Sequence, residues 1–143
     1  MINFKIPAVA ASAVTAMFLF VGTAAQAEMM TFTTDLTGAA QVPPVETSAT
    51  GTVELKVDTD AKTVAWVVTT EGLSGEPTAS HIHGPADATA SAGPVIDTLA
   101  TMAGSAPITD EQIAELQAGK YYYNVHTEKY PDGEIRGQLM AAK

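Results

Sequence analysis

The stretch Thr52-Val53-Glu54-Leu55-Lys56-Val57-Asp58-Thr59-Asp60-Ala61-Lys62-Thr63-Val64-Ala65-Trp66-Val67-Val68-Thr69-Thr70 alternates apolar and polar residues on either side of a polar turn. Successive side chains of an extended chain point to opposite faces, so Val53, Leu55 and Val57 share one side while Thr52, Glu54, Lys56 and Asp58 share the other. After the turn Asp58–Lys62, Val64, Trp66 and Val68 repeat the pattern, and the two runs read as an antiparallel hairpin whose register the turn sets. A sheet with one apolar face needs a second layer, or closure on itself, to bury that face.

Working outward, the same reading places strands at Met30–Leu36, Ala79–His83, Val95–Leu99, Lys120–Glu128 and Glu134–Met140, each bounded by Gly or Pro. Pro131-Asp132-Gly133 is a turn signal between the last two. One helix interrupts the series. Thr109 with Gln112 three residues on forms a capping box, Ile113 and Leu116 make an apolar stripe, and Gly119 can close the end. Seven strands and one short helix predict an all-β antiparallel fold, a Greek-key-like sandwich or small barrel. The Ala/Gly/Ser/Thr-rich stretch Ala86–Ala92 reads as a mobile loop.

The chain opens with Lys5, an apolar run from Ile6 to Val21, and Ala25 and Ala27 in an A-x-A pattern before Glu28. This is the layout of a cleaved signal peptide over residues 1–27, leaving residues 28–143 as one domain in the periplasm or secreted, with no stable membrane anchor after cleavage. The chain has 7 basic and 16 acidic residues. All of the acids but only 6 of the bases follow residue 27, so the mature charge is 6 minus 16, or −10. Nucleic acid is excluded as a partner, because phosphate neutralisation requires clustered Lys and Arg, and here they are few and scattered. There is no cysteine, so disulfides and thiolate metal sites are excluded, and any bound metal ion must be held by His, carboxylate, Met or backbone.

The 3 histidines occupy two short segments, Ser80-His81-Ile82-His83-Gly84-Pro85 and Asn124-Val125-His126-Thr127. Residues two apart on a strand project from one face, so His81 and His83 stand side by side. His126 falls on the same face of its own strand as Tyr122, Asn124 and Glu128, and could meet the other pair across the sheet. Three neutral imidazoles suit Cu, Zn, Ni or Fe, and the affinity order of divalent ions favours copper, with zinc as the second candidate. Water, Glu128 or an unidentified group would take the fourth position. Taken singly, each histidine could equally be a surface or hydrogen-bonded structural residue. In Gly133-Glu134-Ile135-Arg136-Gly137, Glu134 and Arg136 share a face, where they could form an ion pair, line a pocket or be merely solvated, and the two glycines suggest close backbone packing or a bulge.

Leu36-Thr37-Gly38, Gln41-Val42-Pro43-Pro44, Ala49-Thr50-Gly51, His81-Ile82-His83-Gly84-Pro85, Tyr123-Asn124-Val125-His126-Thr127 and Gly133-Glu134-Ile135-Arg136-Gly137-Gln138, in this order, resemble the CHRD domain family, named from chordin and common as a single exported domain in bacteria. The resemblance spans nearly all of residues 28–143. It implies an all-β domain placed outside the cytoplasm; in chordin such modules belong to a protein that binds secreted signalling ligands. A looser similarity, an H-x-H strand plus a later strand histidine, is to the copper site of copper/zinc superoxide dismutases. That site uses four histidines, a disulfide and a zinc-ligand loop, which this chain lacks, and only by that analogy would Arg136 guide anions. The leading expectation is therefore an exported metal-binding protein, with copper as the first candidate ion and His81, His83 and His126 as ligands. The alternatives are a non-catalytic extracellular binding or matrix module, whose partner would be another exported protein, and a dismutase-like enzyme.

Overall fold

The computed structural model describes residues 28–143; the expected signal peptide at residues 1–27 lies outside the described residues. The elements follow in the order β1 (Met29–Thr37), a 3-10 turn (Gly38–Ala40), β2 (Thr50–Asp58), β3 (Thr63–Glu71), β4 (Pro77–His83), β5 (Pro94–Asp97), β6 (Ala103–Pro107), α1 (Asp110–Gln117), β7 (Tyr122–Thr127), β8 (Ile135–Gln138) and β9 (Met140–Ala141). Every strand pair is antiparallel. The order β5-β4-β7-β8-β1-β2-β3-β6 makes a nearly closed barrel of eight strands, with β9 added against β1. No helix among the described residues is long and apolar enough to cross a membrane.

The hairpin is as the alternation dictates. Asp58 pairs with Thr63 and Thr50 with Glu71, and the Asp58 carboxylate closes the turn by accepting from the Asp60 and Ala61 amides at 3.0 and 2.7 Å. Val53, Leu55, Val57, Val64, Trp66 and Val68 are all buried, as are Phe32 and Leu36 from β1. From the other half of the barrel, Ile82, Ile96, Tyr123, Val125 and Ile135 join the same apolar cluster. Helix α1 carries the expected capping box: Gln112 N donates to Thr109 Oγ1 at 3.2 Å and Thr109 N donates to Gln112 Oε1 at 2.9 Å. Asp110 and Glu111 sit in its positive first turn, and Ile113 and Leu116 seat it against the barrel.

Three expectations are revised. Strand β6, Ala-Gly-Ser-Ala-Pro, has no alternation to announce it; it is built from small residues because the Trp66 ring packs where a side chain at position 104 would stand. Strand β5 stops at Asp97 rather than Leu99, since Leu99 and Ala100 take left-handed conformations at φ 57 and 54. The last strand is broken at Leu139, dividing it into β8 and β9. The close packing expected of Gly137 is present: a Cβ there would collide with the Asp35 carbonyl of β1.

Glu134 and Arg136 are 0% and 1% exposed, which rules out a solvated strand face, and no ion pair joins them. The Glu134 carboxylate ties three distant segments together. It accepts from Thr47 Oγ1 at 2.8 Å, Ser74 Oγ at 2.7 Å, Thr127 Oγ1 at 2.8 Å and the Ser74 amide at 3.1 Å. Burial pushes its pKa up, but these donors outweigh burial and hold it below the ordinary glutamate range. A depressed carboxylate pKa contributes stability that is present above the unfolded value and lost as the pH falls through the folded one. Glu134→Gln, which sets an amide NH2 against hydroxyl and amide donors, should lower unfolding free energy by about 3 kcal/mol at pH 7. Denaturant melts at pH 7 and pH 3 should show that difference shrinking in acid.

Candidate metal centre

Strands β4 and β7 are neighbours, with His81 opposite Asn124 and His83 opposite Tyr122. Ile82, Tyr123 and Val125 fill the barrel interior, so by alternation His81, His83, Tyr122, Asn124 and His126 stand on its outer face. The three imidazoles do converge. Ring centroids are 5.2 Å apart for His81 and His83, 5.0 Å for His81 and His126, and 6.3 Å for His83 and His126. One donor atom from each lies within 4.8 Å of the others, forming a cluster that could hold a metal ion. Metal–nitrogen bonds of about 2.0–2.1 Å limit two donors sharing an ion to about 4.2 Å. The His81 Nδ1–His126 Nε2 separation of 3.1 Å already meets that limit, and the widest separation in the cluster, up to 4.8 Å, must close on an ion.

Backbone carbonyls set the orientation of two of the rings. His126 Nδ1 lies 2.9 Å from the Pro131 carbonyl and His83 Nδ1 lies 2.9 Å from the Ala92 carbonyl. A carbonyl only accepts, so each Nδ1 carries the proton and each Nε2 is left with its lone pair, the tautomer a metal ligand requires. His126 Nε2 then accepts from His81 Nδ1, and an ion held between these two atoms would take the place of that proton, with His81 moving to its other tautomer. The turn Pro131-Asp132-Gly133 thus does more than reverse the chain, because it delivers the carbonyl that aims His126. Gly133 at φ +117 is required there, since a side chain would meet the Gln41 and Asn124 amides.

Residues 86–92 form a pinned cover and not the mobile loop expected from composition. Arg136 donates to the Ala90 carbonyl at 2.7 Å and the Asp87 carbonyl at 3.2 Å, and its guanidinium lies 3.5 Å above the Tyr122 ring. Strand β7 runs between β4 and β8, so Tyr122 is sandwiched, with His83 stacked parallel to it at 4.8 Å on the other side. Tyr122 Oη donates to the Ala92 carbonyl at 3.0 Å, and Gln138 Nε2 donates to the Ala86 carbonyl at 2.9 Å. A chain of contacts therefore runs from Arg136 through the loop to the carbonyl that holds His83. Tyr122 and Asn124 were legible as face-sharing partners of His126; the loop carbonyl and the Arg136 clamp carry no local sequence signal.

Glu128, expected as a possible fourth ligand, is exposed beyond the end of β7 and is not among the converging donors. Arg136 is buried beneath the loop, with Nη2 donating to two carbonyls and Nη1 to the Ser91 hydroxyl, which is not the exposed placement that guiding anions requires. Burial lowers the pKa of both His81 and His83; the neighbouring His126 adds to this at His81, while the Ala92 bond opposes it at His83. Native histidines that resist protonation bind fewer protons than the unfolded chain, so stability rises with pH across that window. Proton NMR of metal-free protein should show His81 and His83 titrating below about 6.5, with stability falling as the pH drops through and below that value. Arg136→Met should remove the guanidinium hydrogen bonds to the 86–92 cover, costing about 2–4 kcal/mol and accelerating amide exchange at Ala92, whose N–H donates to Tyr122 Oη at 3.1 Å.

No curated protein and no solved structure matches the chain. The pattern of the CHRD domain matches residues 32–139, a span that contains both histidine segments, the turn that aims His126 and the Arg136 clamp. The chain therefore belongs to the CHRD domain family.

Proposed function

We propose that this CHRD domain protein is exported and binds a transition-metal ion through His81, His83 and His126, with copper the first candidate and zinc the second. The observation that carries the reading is the convergence of all three imidazoles on one face, with two of them held by backbone carbonyls in the tautomer that leaves Nε2 unprotonated. His81 and His126 are half-buried and His83 is buried, a setting open enough for an ion to enter and dry enough to hold it. Imidazole donors without thiolate favour Cu(II) over other divalent ions by affinity order, and three imidazoles are also a zinc donor set. A mature charge of −10 raises the local concentration of cations around the molecule. Export rests on the N-terminal pattern of residues 1–27, and the periplasm or the medium is the compartment it implies.

The binding-module reading has its own support on the opposite side of the barrel. There the outer face of β1, β2 and β3 forms a shallow groove lined by Thr33, Asp35, Thr52, Glu54, Val67 and Thr69. A non-catalytic partner could use that face whether or not the histidines hold an ion. The dismutase reading loses the arginine that would have drawn its substrate in.

Elemental analysis of purified protein equilibrated with Cu(II) or Zn(II) should find about one tightly held ion per chain, and His81→Ala should weaken binding at least about tenfold. Equal metal content in the wild type and a triple His81, His83, His126→Gln variant would sink the site. Sequencing the N-terminus of protein recovered outside the cytoplasm should find Glu28 as the first residue.

A further inference from the structure

Asn124 sits in register with His81 across the β4–β7 ladder, diagonal to His83 and two residues before His126 on its own strand, all on the same outer face. It is 3% exposed, and its Oδ1 lies 2.9 Å from His83 Nε2. The Ala92 carbonyl already claims the proton on His83 Nδ1. A neutral imidazole has only one N–H, so the Nε2 lone pair faces an amide oxygen that also offers only lone pairs. Two acceptors at this distance repel unless something positive stands between them or the amide turns over.

The other end of the amide bears on which of these holds. Gln41 Nε2 is buried without a hydrogen-bond partner, and it and Asn124 Nδ2 crowd the same point beside Gly133. Both nitrogens are donors, so neither can accept from the other. Oxygen and nitrogen of an amide are assigned by their partners, so reversing Gln41 would present Oε1 as an acceptor on the side of Asn124 Nδ2 and leave Asn124 Oδ1 directed at His83. A separation of about 2.9 Å is also what two ligands at right angles show when both bonds are about 2.05 Å long.

We propose that Asn124 Oδ1 is the fourth ligand of the centre, completing a three-imidazole, one-carbonyl set from two adjacent strands. The inference rests on the reading of the three histidines as a metal grip and adds to it a residue and an ion class. A neutral hard oxygen beside three imidazoles selects divalent ions such as Cu(II), Zn(II) or Co(II) over monovalent copper, which prefers sulfur. The competing arrangement reverses Asn124 instead, so that its NH2 donates to His83 Nε2 and must be displaced before an ion can bind.

Cobalt(II) and copper(II) titrations of the purified protein, followed by visible absorption and by electron paramagnetic resonance, separate these arrangements. Asn124→Asp, nearly isosteric and anionic at the same atom, should bind at least tenfold tighter and shift the cobalt d–d bands, while Asn124→Ala should bind at least tenfold weaker, each as an order-of-magnitude expectation. Circular dichroism verifies that both variants fold, and the band positions at saturating cobalt report the ligand set even where affinity is reduced. Spectra and affinities in both variants that match those of metal-binding wild-type protein overturn the assignment of Asn124 while leaving the three histidines in place. Tighter binding by Asn124→Ala does the same and identifies the amide as a blocking donor. Failure of wild-type protein to bind either ion overturns both readings together.

Discussion

The register of β4 against β7 is the constraint on which the rest of the outer face depends. Side chains alternate every residue, so sliding one strand by a single position would send His81, His83 or His126 into the barrel and bring Ile82 or Tyr123 out. The apolar members prevent it: Ile82, Tyr123 and Val125 are buried at 1%, 0% and 0% exposure. A buried hydroxyl chain adds direction that apolar packing lacks. Thr98 Oγ1 lies 2.8 Å from Tyr123 Oη and also bonds Ser80 Oγ, joining β4, β7 and the end of β5 inside the barrel. Interior packing and interior hydrogen bonds therefore both determine the outer face.

Two ionisable groups are buried near this face, and neither neutralises the other. The Glu134 carboxylate is met by hydroxyls and an amide, and the Arg136 guanidinium by carbonyls and an aromatic face. An isolated buried charge is costly unless dipoles are directed at it. Each charge here orders the segments that supply those dipoles. Glu134 draws in the approach to β2 and the loop after β3, while Arg136 draws in residues 86–92. The consequence for the histidines is rigidity. His83 is stacked on Tyr122, bonded to a pinned carbonyl and flanked by Asn124 at 2.9 Å, which leaves its ring little freedom.

The half-barrel of β1, β2 and β3 has a different character. Its outer face carries Thr33, Asp35, Thr52, Glu54 and Thr69, exposed and paired mainly with one another, as in the Thr52–Thr69 hydroxyl contact at 2.7 Å. Interior residues on that side are wholly apolar, with Trp66 over Gly104 at the edge strand. One half of the molecule thus supplies a conventional core, and the other combines its core with buried polar groups that organise a site.

Local pattern alone determined much of this protein. Two-residue alternation in Thr52–Thr70 was sufficient for the hairpin, Thr109 with Gln112 for the helix start, and His81-Ile82-His83 for two imidazoles on one face, because each depends on side-chain direction within a few residues. Six quoted motifs in order were enough to place the chain in its family. Tertiary structure decided what depends on residues far apart. The small-residue strand Ala103–Pro107 exists because Trp66 needs a thin neighbour, the 86–92 segment is held because Arg136 reaches it from β8, and Glu134 and Arg136 are buried apart and not paired. Whether His126 faced His81 was likewise settled only by the pairing of β4 with β7, since sequence spacing gives the face of each strand but not which strands become neighbours.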